Sequence, residues 1–398
     1  LKRRILERHD TRVISLARGA VRRVVGYPFI ANANKVNESE YSKRALLVYV
    51  TKAFMIKDDD PLFYGHQNFK QCRNIATVLD ELGYVVDVAH FLDVRFRPRR
   101  KYDLLINHRV SLGLLENGLR AGTRKVYLAS GMNHIRRNAI IREAYAQLAN
   151  RRGCKLRMPV PHPEDMPFVT MADAIVGFGN AYTTGSWADV FDRAIYPFNN
   201  YGWSSTPSSI LLKDFESSRR SFIFFASGPQ VRKGLDLLLD VFPRFPDLHL
   251  FVCSPFESEP DFCACYQKEL YGSPNVHPIG WVSVNSGEFN DLMAKCAFVI
   301  HPAREEGQPG SVVQCMYAGL IPLVSLESGI DTEDFGITFR ENTLAQISDV
   351  IQHVSNCSTE TLLGMSQNTR NACEAKFSEA SFISRWKSIL TEICNSDS

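Results

Sequence analysis

Residues 68–91 read NFKQCRNIATVLDELGYVVDVAHF. Phe69, Cys72, Ile75, Ala76, Leu79 and Leu82 recur at the three- and four-residue spacing of one helical face, and Gly83 ends the pattern. YVVDVAHF then runs apolar and β-branched, the mark of a strand buried on both faces. An earlier run of the same kind, ALLVYVTKAF at 45–54, precedes the helix. Strand, helix and strand in that order join parallel neighbours, so the reading is α/β.

The alternation continues outward from this unit. YDLLINH (102–108), KVYLASG (125–131) and AIVGFGN (174–180) read as strands, with a polar helix from about Asn138 to Arg152 between the last two. YPFNNYGWSSTPSS (196–209) breaks the rhythm and reads as a linker. From Ser221 the pattern restarts: strands at 222–227, 248–254, 276–282, 297–303 and 320–325, with helices at 235–245, near 260–271, at 287–296 and at 311–318. The boundaries expected are a basic helical segment over 1–44, a first α/β domain over 45–205, a second over 215–375, and a closing helix over 376–398. In doubly wound sheets, ligands sit beyond the carboxyl ends of the strands.

The 398 residues, 45% hydrophobic and 22% charged, suit two ordinary globular domains. No apolar run approaches the roughly 18 residues that cross a bilayer, and the arginine-rich start does not read as a secretory signal, so an intracellular, cytoplasmic chain is expected. The ten cysteines are scattered through a long chain; reduced thiols and no metal site follow. The net charge of +3 is uneven, since residues 1–44 carry eleven Lys/Arg against four acids. That segment, and RFRPRRK at 95–101 with five cations in seven positions, suit either a solvated surface or an anionic membrane face. Nucleic acid is not expected as a partner, because the remainder is mildly acidic and lacks basic–aromatic interleaving.

Two stretches carry chemistry. SGPQVRKGLDLLL (227–239) follows a strand and opens a helix; Gly228 and Gly234 bare the backbone, and Arg232 and Lys233 add two cations. Cations at a helix start oppose its dipole unless an anion is bound there, so the stretch reads as an anion site. Its spacing is neither a Walker loop nor a dinucleotide fingerprint. EEGQPGSVVQCMYAG (305–319) places Glu306 beside Gly307 and Gly310 on a loop before a helix, where a carboxylate suits sugar hydroxyls. Ser311 and Gln314 also fit a helix-capping box.

EEGQPGSVVQCMYAGLIPLVS resembles the signature of GT-B-fold retaining glycosyltransferases, the nucleotide-sugar-dependent "group 1" type. Glu306, Gly307, Ala318, Gly319 and Pro322 match its pattern. RKGLDLLL resembles the phosphate-binding turn of that family, with Lys233 on its lysine and Arg232 beside it, and VHPIGWV (276–282) resembles the strand and turn that approach the nucleobase. The resemblance covers about 220–330 and is weaker toward the N-terminus, where it rests on the Gly65 loop and on SGMNHIRRN (130–138). It implies two Rossmann-like domains facing a cleft, with the last helix crossing back to the first. Two positions depart from the pattern. Gln314 replaces a glutamate that holds the ribose, exchanging a charge-assisted bond for a neutral one, and Pro229 stands where an arginine often follows the glycine.

The resemblance implies transfer of a sugar from a nucleotide-diphosphate donor to a saccharide or lipid-linked acceptor, with retention of configuration and without a metal ion or cofactor. Lys233, Arg232, Gly228, Gly307, Gly310, Ser311, Gln314 and Gly65 would hold the donor, Glu306 would position its sugar, and His134 would reach the donor sugar or acceptor. Asn138 is a further candidate. A nucleotide-sugar epimerase of the same architecture and a non-catalytic sugar-nucleotide sensor are the alternatives.

Overall fold

A computed structural model describes residues 27–395, apart from 58–59, 61–62, 64–66, 94, 109–118, 203–212 and 285. Gly65 and most of the basic N-terminal segment therefore lie outside the described residues. Two compact units are present, Leu1–Tyr127 with Pro167–Asp173, and Leu128–Met166 with Ala174–Ser398.

The twelve described strands form two six-stranded sheets. The first contains β1 (Lys43–Tyr49), β2 (Tyr84–His90), β3 (Tyr102–Asn107), β4 (Leu119–Ala129), β5 (Ala174–Phe178) and β6 (Ala194–Phe198), in the order β2-β1-β3-β4-β5-β6. Helix α1 (Asn68–Glu81) joins β1 to β2 and buries Cys72, Ile75 and Leu79, as its spacing predicts. At the outer edge of β2, Ile30 pairs antiparallel with Val88 through two backbone bonds of 2.9 and 2.8 Å, which covers an otherwise open strand. Asp87 on β2 is fully buried and held by the Tyr102 hydroxyl at 2.9 Å and by the Arg44 guanidinium at 3.3 Å. Helix α2 (His134–Arg152) follows β4; Asn133 caps it by accepting from the Arg136 N–H at 2.8 Å, and Gly153 ends it with φ of 67°.

The second sheet contains β7 (Ser221–Phe225), β8 (His249–Cys253), β9 (Val276–Pro278), β10 (Phe298–His301), β11 (Ile321–Ser325) and β12 (Ile337–Phe339), all paired parallel. Its order, β12-β11-β10-β7-β8-β9, reverses between β7 and β10, the doubly wound arrangement. Both faces are buried: Phe222 and Phe224 point into one apolar cluster, Ile223 and Phe225 into the other. This is why the strand reads as a continuous apolar run. The helices named from this half are α3 (Gln230–Lys233), α4 (Leu235–Val241), α5 (Pro260–Cys265), α6 (Gly287–Lys295), α7 (Gly310–Tyr317), α8 (Leu344–Ser355), α9 (Thr359–Lys376) and α10 (Glu379–Asn395). Phe382 and Trp386 of α10 pack on Phe198 of β6, at 4.7 and 5.3 Å between ring centroids, so the last helix lies against the first sheet.

Three readings need correction. The stretch 196–209 is not all linker, because its first three residues complete β6 despite Pro197. The helix at 235–245 is α only to Val241, and a separate helical turn, α3, forms inside the preceding loop. The cysteines are not all reduced: Cys154, just past α2, is joined to Cys265 at the end of α5 by a disulfide. A pair 111 residues apart leaves no spacing signal in a sequence.

Candidate active site

The order reversal makes β7 and β10 neighbours although Phe222 and Phe298, which face each other in the register, lie far apart in sequence. Their carboxyl ends deliver the two stretches singled out above to one place. After β7 the chain turns through Gly228 and Pro229 into α3, whose single turn is closed by Gly234 at φ of 81°. A Cβ at Gly234 would also overlap the Pro302 carbonyl, so only glycine fits there. After β10, residues 302–309 loop into α7.

These two loops bring Lys233, Arg232, Glu305 and Glu306 together. Lys233 forms an ion pair with Glu306. The Arg232 guanidinium lies 3.2 Å from a Glu305 oxygen and 3.6 Å from Glu306 Oε1. Glu305 is only 2% exposed and also meets Arg137 of α2, Nε to Oε2, at 3.5 Å. Burial, and next the neighbouring Arg232 charge, hold the Lys233 ammonium well below the ordinary lysine range. Burial likewise lowers Arg137. His301, at the end of β10, is fully buried and stacked on Phe224, with Nε2 4.0 Å from Glu306 Oε2. Burial, Lys233 and Arg232 all depress its pKa, so the ring is neutral.

Arg304 locks the frame. Its two terminal nitrogens donate to the Asp236 carboxylate at 2.6 and 2.7 Å, one of them also to the Val231 carbonyl at 2.6 Å, and its own N–H donates to the Arg232 carbonyl at 2.9 Å. Asp236 additionally accepts from Arg151 at 2.7 Å, which ties the far end of α2 to α4. A fork-to-fork pair between buried groups fixes direction as well as distance.

The start of α3 holds one of the chain's own anions. The Gln230 N–H donates to both Glu259 oxygens at 3.1 and 3.2 Å, and the Ser254 hydroxyl donates to Gln230 Oε1 at 2.8 Å. Burial raises the Glu259 carboxyl above the ordinary carboxylate range. A Cβ at Gly228 would come within 2.7 Å of Glu259 Oε1, so the bare glycine is what admits the carboxylate.

Gly307 packs its bare α-carbon on the Ser130 carbonyl, while Gly131 faces Glu305 Oε1, where a Cβ would lie 2.8 Å away. Beside it Gln308 acts as a bracket, donating to Asn199 Oδ1 at 2.9 Å and the Gly329 carbonyl at 2.8 Å and accepting from the Asn200 N–H at 2.6 Å. Gly310 and Ser311 are the first two residues of α7, and Gln314 is buried one turn on. The capping box expected of Ser311 and Gln314 does not form: Pro309 is the cap, no side chain caps the helix, and Ser311 already lies inside it.

His134 is the first residue of α2 rather than a loop residue. Its Nδ1 lies 2.7 Å from the Pro163 carbonyl and its ring meets His162 and Trp187. Arg137, one turn further along, is the residue of this helix that reaches the acidic loop. Asn138 binds the 162–164 segment, through the His162 backbone at 2.8 and 3.0 Å and Glu164 at 3.0 Å. Sequence reasoning missed Glu305, Arg137, Glu259, Gln308 and the Arg304–Asp236 lock. Only the Glu305–Glu306 doublet offered a signal.

Residues 219–356 match a family model described as Glycosyl transferases group 1. No curated protein sequence matches the chain. Among solved structures, sucrose-phosphate synthase from Thermosynechococcus elongatus is similar at a TM-score of 0.61 with 11% identity, over 89% of this chain and 100% of that one. WaaG, a glycosyltransferase involved in lipopolysaccharide biosynthesis, is similar at 0.54 and 12% over 89% and 100%. HepE of Anabaena, solved in complex with UDP-glucose, is similar at 0.53 and 13% over 88% and 100%. Likeness at these identities is one of fold, and the fold is GT-B, two Rossmann-like parallel sheets with closing C-terminal helices. The family whose signature the sequence resembles is the one its second half matches.

Proposed function

We propose that the protein is a glycosyltransferase that moves a sugar from a nucleoside-diphosphate sugar to a saccharide or lipid-linked acceptor, in the assembly of a polysaccharide or glycoconjugate. The observation that carries this reading is the gathering of Lys233, Arg232 and Glu306 at the order reversal of the second sheet. Donor binding is also in keeping with the UDP-glucose of the HepE complex.

Breaking the bond from the anomeric carbon to a diphosphate builds negative charge on the leaving group and positive charge on the sugar ring. Lys233 and Arg232 are suited to hold the first, so the reaction proposed runs without a metal ion. The diphosphate competes with Glu306 for Lys233. Once displaced, Glu306 is free to accept from the sugar hydroxyls and to face the positive ring, with retention of configuration as the family resemblance implies. Thermal unfolding of the purified protein with UDP, GDP, dTDP or ADP, followed by assay of sugar release from the matching nucleotide sugars, tests this. Stabilisation by one nucleotide with slow donor hydrolysis is expected. Indifference to all four, with no turnover, would refute it.

A further inference from the structure

The loop from β2 to β3 carries the RFRPRRK run, and the structure places large apolar side chains beside it. Arg95, Arg97, Arg99, Arg100 and Lys101 are exposed. Arg100 is engaged by Glu38 and Asp87, at 3.6 and 3.5 Å, and Arg97 donates to the Phe96 carbonyl at 2.9 Å. Arg95, Arg99 and Lys101 have no ion-pair partner among the described residues. Phe29, 40% exposed, stacks on Phe96 of this loop at 5.2 Å, and Leu92 at the loop's start is also 40% exposed.

The chain's path explains why these groups meet. Ile30 pairs antiparallel with Val88, so the residues before it run toward the carboxyl end of β2, where the loop begins. Tyr27 stacks on His90 there at 3.9 Å. Residues 1–26, which lead into Tyr27, hold eight Lys/Arg and two acids. A run of cations on a solvated loop needs no exposed aromatic partner, and a polyanion-binding strip needs no exposed leucine. Cations rimming aromatic and aliphatic side chains match a surface that is anionic outside and apolar just beneath.

We propose that this edge of the first sheet, centred on Phe29, Leu92, Arg95, Arg99 and Lys101, docks on an anionic phospholipid bilayer. Phe29 and Leu92 enter the headgroup boundary, and the loop cations face the lipid phosphates. The attachment is independent of the sugar-transfer reading and stands or falls without it.

The test is co-sedimentation of the full chain with vesicles of phosphatidylcholine alone and of phosphatidylcholine containing phosphatidylglycerol, at low and at elevated salt. Binding to the anionic vesicles only, weakened by salt, is expected. Replacing Arg95, Arg99 and Lys101 together by Gln should weaken binding about a hundredfold, since each cation near such a surface contributes about fivefold. Replacing Arg95 and Arg99 by Lys should restore it. Phe29→Ser with Leu92→Ser should weaken it about tenfold at unchanged charge. Equal binding to neutral vesicles would overturn the proposal, as would wild-type binding by the Gln triple variant. So would an unaffected apolar double variant whose binding is matched by heparin, because that outcome assigns the strip to a polyanion instead.

Discussion

Lys233 and Glu306 form an ion pair between the turn after β7 and the loop after β10, so the group proposed to hold a diphosphate is held by the group proposed to hold its sugar. Arg232 and Glu305 repeat the relationship alongside, and Glu259 fills the turn's first N–H. Three carboxylates thus stand where a ligand's phosphates would add negative charge. On the function proposed above, binding would be an exchange of anions rather than the filling of an unscreened basic site, and the following outcomes depend on that.

Glu306→Gln keeps the side chain's size while removing Lys233's partner and the competitor for it. Affinity for the free nucleoside diphosphate should rise about threefold to tenfold, while transfer falls about a hundredfold, because the charge facing the sugar ring is lost. Lys233→Ala should instead weaken nucleotide binding and transfer together. It should also lower stability by about 3 kcal/mol, since it leaves a largely buried carboxylate with Arg232 as its one remaining cationic partner among the described residues, beside the neutral His301 ring. Titration calorimetry with the preferred nucleotide and a transfer assay separate the two patterns. Normal turnover in both variants would remove these side chains from the mechanism.

Two glycine substitutions should act in opposite directions. A Cβ at Gly307 would overlap the Ser130 carbonyl, and the Gly307 carbonyl itself rests on the bare α-carbons of Gly179 and Gly329. Gly307→Ala should therefore cost about 1 to 3 kcal/mol and displace Glu306, lowering transfer at least tenfold. Gly364 lies exposed within α9 with nothing near its absent Cβ, so Gly364→Ala should add about 0.5 to 1 kcal/mol without touching activity. Thermal unfolding of the pair beside wild type measures both signs.

The disulfide supplies a third expectation. It spans 111 residues, from the end of α2 to the end of α5, and Arg151 and Arg152 pin the same helix end to Asp236, Asp240 and Glu269. Non-reducing mass analysis after thiol labelling should show Cys154 and Cys265 protected together. Cys265→Ser should lower stability by about 2 to 4 kcal/mol. The remaining arginine pairs should keep the helix end in place, so nucleotide affinity should change little.

The sheets were legible because both faces of each central strand are buried, which leaves runs such as FIFFAS at 222–227 without polar interruption. Strand β6 was not, because Pro197 and the asparagines after it read as a turn, and β12 is three residues long. Glu306 and Lys233 were legible one at a time from glycine spacing and charge. Their pairing was not, because it follows from the adjacency of β7 and β10, which sequence order does not display. Arg137 stands three residues from His134 on one helix, with no motif in the sequence to single it out. The helical phase from the Asn133 cap decides which of the two faces the acidic loop. Glu259 follows β8 in a stretch with no motif, and only its bond to Gln230 gives it meaning.

Lys213 yields the pH dependence. Its ammonium is buried and donates to the Met293 and Cys296 carbonyls at the end of α6, and burial brings its pKa down to about 8 from the ordinary 10.5. Below about pH 8 the group is charged in both the folded and the unfolded chain, and pH has no leverage through it. Between about 8 and 10.5 the unfolded chain binds a proton that the folded chain has lost, so stability should rise with pH across this window. From pH 7 to 9.5 the rise from this one residue should be roughly 2 kcal/mol. Lys213→Met, which keeps the aliphatic stem but cannot titrate, should lack that rise. It should also lose about 1 to 3 kcal/mol at pH 7, because two carbonyls are left without their donor. Denaturant unfolding of both proteins at pH 7, 8.5 and 9.5 reads the difference, and a parallel dependence in the two would place the titration elsewhere.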